Sequence, residues 1–406
     1  MSISTNNTTT SSGLISHVYF WGAIGVKDRI QSNTPHLIAT SSEKKASSSS
    51  GLTISPSPLF HTRVIQVSAG GSFLLLMDDR GKVYALGKGQ DFRLGMGDEK
   101  DRLSTPVKIT CISNAISIAA GYRHGSCLVR NGESNSSVLL WGKLSQSLNL
   151  TKPTPFQVPC ASDDEVVSIR AGNGYSCALT RKGHAFMIGK NTFHKCGFQE
   201  ENCDLNEFTQ LVISNGSETI SEFKDIDLGY DSTLAIASNG DVFGFGSNAC
   251  YQLGIGNVRN KNGHMPTKLS FSQPIEAVQV ACSRGSSHHC HGMVLDSNGF
   301  MHTFGSGYKY KLGTHTTDDQ PVPVKIELEN GVKIKHLVPG GIHNFAQTAD
   351  NSLLSFGCGS DGRLGHQESE NYRYLYKELE PRKIEVLGNR VIMADSDYYF
   401  GVALCE

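Results

Sequence analysis

The chain has 406 residues, with 37 basic and 38 acidic side chains and a formal net charge of −1. That balance excludes a strong global pull toward nucleic acid or anionic membrane, and no apolar run reaches the ~18 residues needed to cross a bilayer. Gly at 43 residues against 13 Pro points to many tight turns between short strands, not to disorder or a collagen-like repeat.

The start of the chain lacks the charged segment and apolar stretch of a secretory leader. Its 11 Cys, an odd number at irregular spacing, fit buried thiols in a reducing compartment better than a disulfide framework. An intracellular place, cytoplasmic or nuclear, is therefore expected. Residues 1–17 read as a disordered polar tail, and a flexible Ser-rich insert is expected at about 40–55. The remainder, 18–406, reads as one domain.

In chain order, VYFWG at 18–22 comes first, a strand ending in aromatic-Gly with no partner before it. A two-part unit then begins: an apolar stretch ending in Gly, a second apolar run, a Gly-led turn and another strand ending in aromatic-Gly. The clearest copy, at 64–97, reads VIQVSAGGSFLLLMDDRGKVYALGKGQDFRLGMG. The order recurs at 116–142, 166–197, 226–256, 278–313 and 337–365, making six complete copies. A seventh first half, VIMADSDYYFGVAL at 391–404, has no second half after it.

The two leftovers complete each other. If VYFWG supplies the missing half of the last copy, both chain ends join one blade and their sheet edges are hidden. The predicted fold is all-β, a seven-bladed β-propeller closed by N- and C-terminal strands sharing a blade. Gly22, Gly87, Gly142, Gly189, Gly246, Gly305 and Gly357 lie 47 to 65 residues apart, a period suited to four-stranded blades with variable loops. Asp79-Arg80-Gly81, Ser238-Asn239-Gly240 and Ser297-Asn298-Gly299 are expected hairpin turns.

The Ala-Gly-x-x-His-Ser-like first halves, the Asn-Gly turns, the Trp-Gly or Phe-Gly ends and the tail Tyr251-Gln252-Leu253-Gly254 resemble regulator-of-chromosome-condensation repeats. The resemblance covers about 18–404 and implies the seven-bladed fold. It leaves function open, because that family includes the Ran exchange factor, a plant ultraviolet receptor and adaptors without exchange activity. Trp21 and Trp141 are too few for the photoreceptor's tryptophan cluster, and the Ran exchanger's basic tail is absent from residues 1–60.

The loop after each first-half Gly should bring equivalent positions to one propeller face. The second and third residues after that Gly, with Asp395 taken as its replacement in the last copy, give the candidate partner-binding residues Arg123, His124, Tyr175, Asp231, His343, Asp397 and Tyr398. In the expanded fifth copy, His291 aligns with His124. The resemblance implies that acidic and His residues here meet a GTPase; the structural alternative is that they pin neighbouring blades together.

No nucleophile, base and orienter set appears, so no catalytic residue or cofactor is assigned. Cys282, His288, His289, Cys290 and His291 are too crowded for paired zinc-ligand spacing, and no metal is assigned. GCGSDG at 357–362 fits a Gly-x-Gly-x-x-Gly pattern but reads as the repeat turn. The expected function is a monomeric, non-catalytic scaffold or adaptor for another protein. The alternative is guanine nucleotide exchange on a small GTPase, and chromatin binding is a weaker one.

Overall fold

The computed structural model describes residues 16–24, 30–40, 62–132, 136–200, 203–258, 263–285, 288–370 and 375–406. The tail at 1–15 and most of the Ser-rich insert lie outside the described residues.

Seven four-stranded antiparallel sheets form the blades of a closed propeller. Their innermost strands are Val64–Gly70, Ala115–Ala120, Val166–Ala171, Phe223–Leu228, Ala277–Cys282, Ile334–Pro339 and Val391–Ser396, which open blades 1 to 7 in that order. Each packs against the next around a central channel, and the seventh returns to the first. Second strands such as FLLLMD, at Phe73–Asp78, read as continuous apolar runs because blades are covered on both faces. Seven hydrophobic clusters fill the ring, one at each seam between neighbouring blades.

Blade 7 is built from both chain ends. His17–Ile24 pairs antiparallel with Phe400–Cys405, placing Val18 opposite Leu404 and Trp21 opposite Gly401. The first strand begins one residue before the expected boundary at 18. Ser16 also takes part, since its Oγ accepts the Val64 N–H at 3.0 Å. Trp21 is fully buried, and its Nε1 donates to the Arg363 carbonyl at 3.0 Å, tying the exchanged strand to blade 6. Trp141 repeats the device between blades 2 and 1, donating to the Arg93 carbonyl at 2.9 Å.

The chain runs through every blade in the same sense, so loops joining first to second and third to fourth strands share one face, called here the upper face. The lower face carries the hairpins between second and third strands and the connections between blades. One short hairpin, Ile213–Asn215 with Glu218–Ile220, is the only sheet outside the seven blades among the described residues. It leaves the lower face between blades 3 and 4, rooted by buried Ile213 and Ile220. The GCGSDG segment passes from the strand Leu353–Cys358 into a 3-10 turn at Ser360–Gly362. Lys377–Lys383 is the outer strand of blade 6.

Candidate functional site

On the upper face the inner strands converge on the channel and end at equivalent positions: Gly70, Gly121, Gly172, Gly229, Ser283, Gly340 and Asp397. The following residue reaches across each of five seams with its backbone. Gly71 N–H donates to Gly121 O at 3.1 Å, Tyr122 to Gly172 at 3.0 Å, Asn173 to Gly229 at 3.2 Å, Tyr230 to Ser283 at 3.3 Å and Arg284 to Gly340 at 3.2 Å. Such close approach requires a missing side chain: a Cβ on Gly121 would lie 2.5 Å from the Gly172 oxygen.

The ring places the repeat position of blade 7 at Asp397, not at Asp395. Asp397 N–H bonds Phe400 O as Gly121 N–H bonds His124 O, so the equivalents of Arg123 and His124 are Tyr399 and Phe400. The expected register of the last copy is therefore two residues too early, because no Gly marks the corner there. Asp397 instead closes the last seam with its side chain, its Oδ2 accepting the Ser72 N–H at 3.1 Å. Burial pushes its carboxyl up to about 6. Asp395 accepts the Ala69 N–H at 2.9 Å across the same seam.

His124, Tyr175, His291 and His343 open the second strands of their blades, have no exposed surface, and each reach into the next blade. His124 Nε2 lies 2.8 Å from Ser176 Oγ, His291 Nε2 donates to Asn344 Oδ1 at 2.7 Å, and His343 Nε2 lies 3.3 Å from Ser396 Oγ. The Tyr175 hydroxyl donates to Ser232 O at 2.8 Å. Burial drives His124 and His291 down to about 3 and His343 well below its ordinary value, so all three are neutral at physiological pH. Asp231 is buried as well, its carboxylate 2.8 Å from Lys195 Nζ. These side chains join blades; the histidines and Tyr175 present no surface to a docked partner, and Asp231 presents little.

What the upper face exposes lies one or two residues away. Tyr122 and Tyr230 meet edge to face with centroids 5.2 Å apart, and Tyr398 meets Tyr399 at 4.5 Å. Arg123 lies 5.6 Å from the Tyr122 ring centroid and 3.8 Å from Asp91, with 45% of its side chain exposed. Arg363 lies 5.2 Å from the Tyr399 centroid, and His289 stacks on exposed Tyr308 at 4.2 Å. These residues form a tyrosine and arginine collar around the channel mouth. Of the candidate residues, Arg123 and Tyr398 belong to it. Sequence reasoning missed Tyr122, Tyr230, Tyr308 and Tyr399, although the aromatic after the repeat Gly in GYRH and GYDS was a readable signal.

The RCC1-like domain matches residues 17–403. The chain belongs to that family. It is 25% identical to human regulator of chromosome condensation over 360 residues, covering 82% of this chain and 80% of that one. It is also 25% identical to the human E3 ubiquitin-protein ligase HERC2 over 332 residues, covering 79% of this chain but only 7% of HERC2. Among solved structures, Prp20p from Saccharomyces cerevisiae superimposes with a TM-score of 0.73 at 17% identity, covering 96% of this chain and 91% of that one. Human WBSCR16 gives 0.71 at 19% identity, covering 96% and 99%. These structures share the fold.

The mouth of this RCC1-like propeller is closed by its fifth blade. There, Ser283 takes the Gly position and extra residues follow before His291. The residue directly after Ser283, Arg284, crosses the channel with its side chain, and its Nη1 donates to Ala120 O at 2.9 Å and points to Ala69 O at 3.4 Å. Burial opposes its charge, but Asp395, Asp227 and Asp397 outweigh that and hold its pKa above the ordinary value. Upper-face turns after the third strands add further braces. Arg93, Lys195, Lys311 and Arg363 are all buried and point at upper-loop carbonyls; Arg363, for example, donates to Tyr398 O at 3.0 Å. The collar is thus a rigid rim over a closed channel. Among the described residues no group of His, Cys, Asp and Glu is arranged to hold a metal, and no helix is long and apolar enough to cross a membrane.

Proposed function

We propose that this RCC1-like propeller is a non-catalytic docking platform that holds another protein against the collar of Tyr122, Arg123, Tyr230, Tyr398 and Tyr399. The observation that carries the reading is a rim on which Arg123 and Tyr399 are exposed and Tyr122, Tyr230 and Tyr398 are half-buried, its backbone tied by the inter-blade bonds. Tyr and Arg are enriched among residues that dominate binding energy, and a rigid rim loses little entropy on association.

A second reading, nucleotide exchange on a small GTPase, is favoured by the lower-face hairpin at Ile213–Asn215 and Glu218–Ile220, a projection of the kind exchange would use. Affinity capture from lysate separates the two, with EDTA in one arm and magnesium with excess GTP in the other. The docking reading predicts the same partner in both arms, and its loss with Arg123→Glu plus Tyr399→Ala. A GTPase held only in the EDTA arm would replace it with exchange, and capture unchanged by the double variant would remove the collar from the site.

A further inference from the structure

Every inner strand carries the same irregularity at its lower end: its pairing with the second strand shifts between the first and third residues. The residue displaced by this bulge lies five places before the glycine position, so all seven sit around the end of the channel opposite the collar. In five blades it is β-branched and apolar: Ile65, Ile116, Val167, Val278 and Ile392, between 38 and 48% exposed. In the other two it is an exposed lysine, Lys224 or Lys335.

The strand does not need an aliphatic residue at this position, since two blades hold the same bulge with lysine. Around this ring blades 7, 1, 2 and 3 carry exposed aliphatics in succession, and Val278 of blade 5 stands between the two lysines; exposed apolar residues grouped in this way are a common mark of an interaction site. Val212 and Val332, in connections between blades on the same face, are also 45 and 38% exposed. The ring surrounds the open end of a channel of about 530 Å³, which Lys224, Val278 and Lys335 help to line.

The sign of charge follows from the same geometry. The carboxylates inside the channel are turned to neighbouring strands: Asp225 accepts the Val280 N–H at 3.0 Å, Asp227 that of Cys282 at 2.7 Å and Asp395 that of Ala69 at 2.9 Å. Two places before the ring, Arg63, Lys333 and Arg390 balance Glu165, Glu222 and Glu276. Along the channel, Arg170, Lys224, Arg284 and Lys335 outnumber Asp225, Asp227 and Asp395 by one, and Lys224 and Lys335 put the excess positive charge at the rim.

We infer that this ring is a second docking surface, which takes a protein segment presenting aliphatic side chains flanked by carboxylates. It lies across the molecule from the collar and does not depend on it. The test titrates methyl-labelled full-length protein with the peptide Glu-Glu-Leu-Ile-Val-Leu-Glu-Glu, using a counterpart with Lys in place of Glu as control. The methyl resonances of Ile65, Ile116, Val167, Val278 and Ile392 should shift. Affinity should fall about tenfold or more for the Lys counterpart and for Lys224→Glu with Lys335→Glu. Ile116→Ser should weaken it too, while Arg123→Glu with Tyr399→Ala should leave it unchanged. No shift at millimolar peptide, equal binding of both peptides, or shifts centred on other methyls would overturn the inference.

Discussion

His124 and Arg123 are adjacent in sequence and belong to different machines. His124 is sealed inside the ring and bonded to Ser176, whereas Arg123 leans on Tyr122 with nearly half its side chain in water. The same division separates Tyr175 from Asn173, and Phe400 from Tyr399. At these corners the residue that opens the second strand is buried, while a residue just before it reaches the upper rim. A polar residue in a repeat loop is therefore no guide to binding until its place on the pleat is known.

The division implies that pins fail through stability and collar residues through binding. The largest effect is expected at the seam closed by the shared blade. Trp21→Ala removes a fully buried indole and its bond to Arg363, and should cost about 3–5 kcal/mol. Denaturant unfolding followed by near-ultraviolet circular dichroism would measure it, and a cost under about 1 kcal/mol would contradict the role given to the exchanged strand.

His124→Ala should cost less, about 1–3 kcal/mol, since it leaves Ser176 without its partner in a buried seam. If the pin has no part in docking, partner capture below the variant's melting point should be unchanged.

Acid should act on the pins as a group. His124 and His291 are held down to about 3 by burial, and His343 is well below its ordinary value for the same reason. An unfolded histidine binds a proton near pH 6.5, so below that pH the unfolded chain takes up more protons than the fold. Stability is then lost as pH falls, by up to about 1.4 kcal/mol per pH unit for each fully buried histidine. Asp397 opposes this, since a carboxyl raised to about 6 favours the fold as pH falls from 6 toward 4. One carboxyl against several histidines leaves a net loss. The melting temperature should drop between pH 7 and pH 5, and a flat profile would show that the pins titrate freely.

The smallest stability effect belongs to the collar. Arg123→Glu changes an exposed side chain whose ion pair with Asp91 is 3.8 Å long, and should move stability by no more than about 0.5 kcal/mol. A larger change would mean that the rim also holds the ring.

Most of the fold was legible because the repeat prints its own boundaries. The lone VYFWG and the unfinished copy at 391–404 point to the shared blade from sequence alone, and the two segments pair in it. The site was less legible, for two physical reasons. Strand pairing buries the residue opposite each aromatic-Gly mark, and that register is a property of the sheet: His124 lies opposite Gly142 and His343 opposite Gly357. Blade 7 also replaces the corner Gly with Asp397, which removed the landmark and shifted the expected register by two residues. The lower ring shows as single aliphatic residues scattered through seven strands, and only ring closure brings them together.

The account is tested most directly by comparing two variants in one capture experiment with melting curves alongside. Arg123→Glu with Tyr399→Ala should lose the partner and melt like the wild type. His124→Ala should keep the partner and melt earlier. The reverse pattern, a collar variant that still binds and a pin variant that melts normally without its partner, would contradict the division of roles.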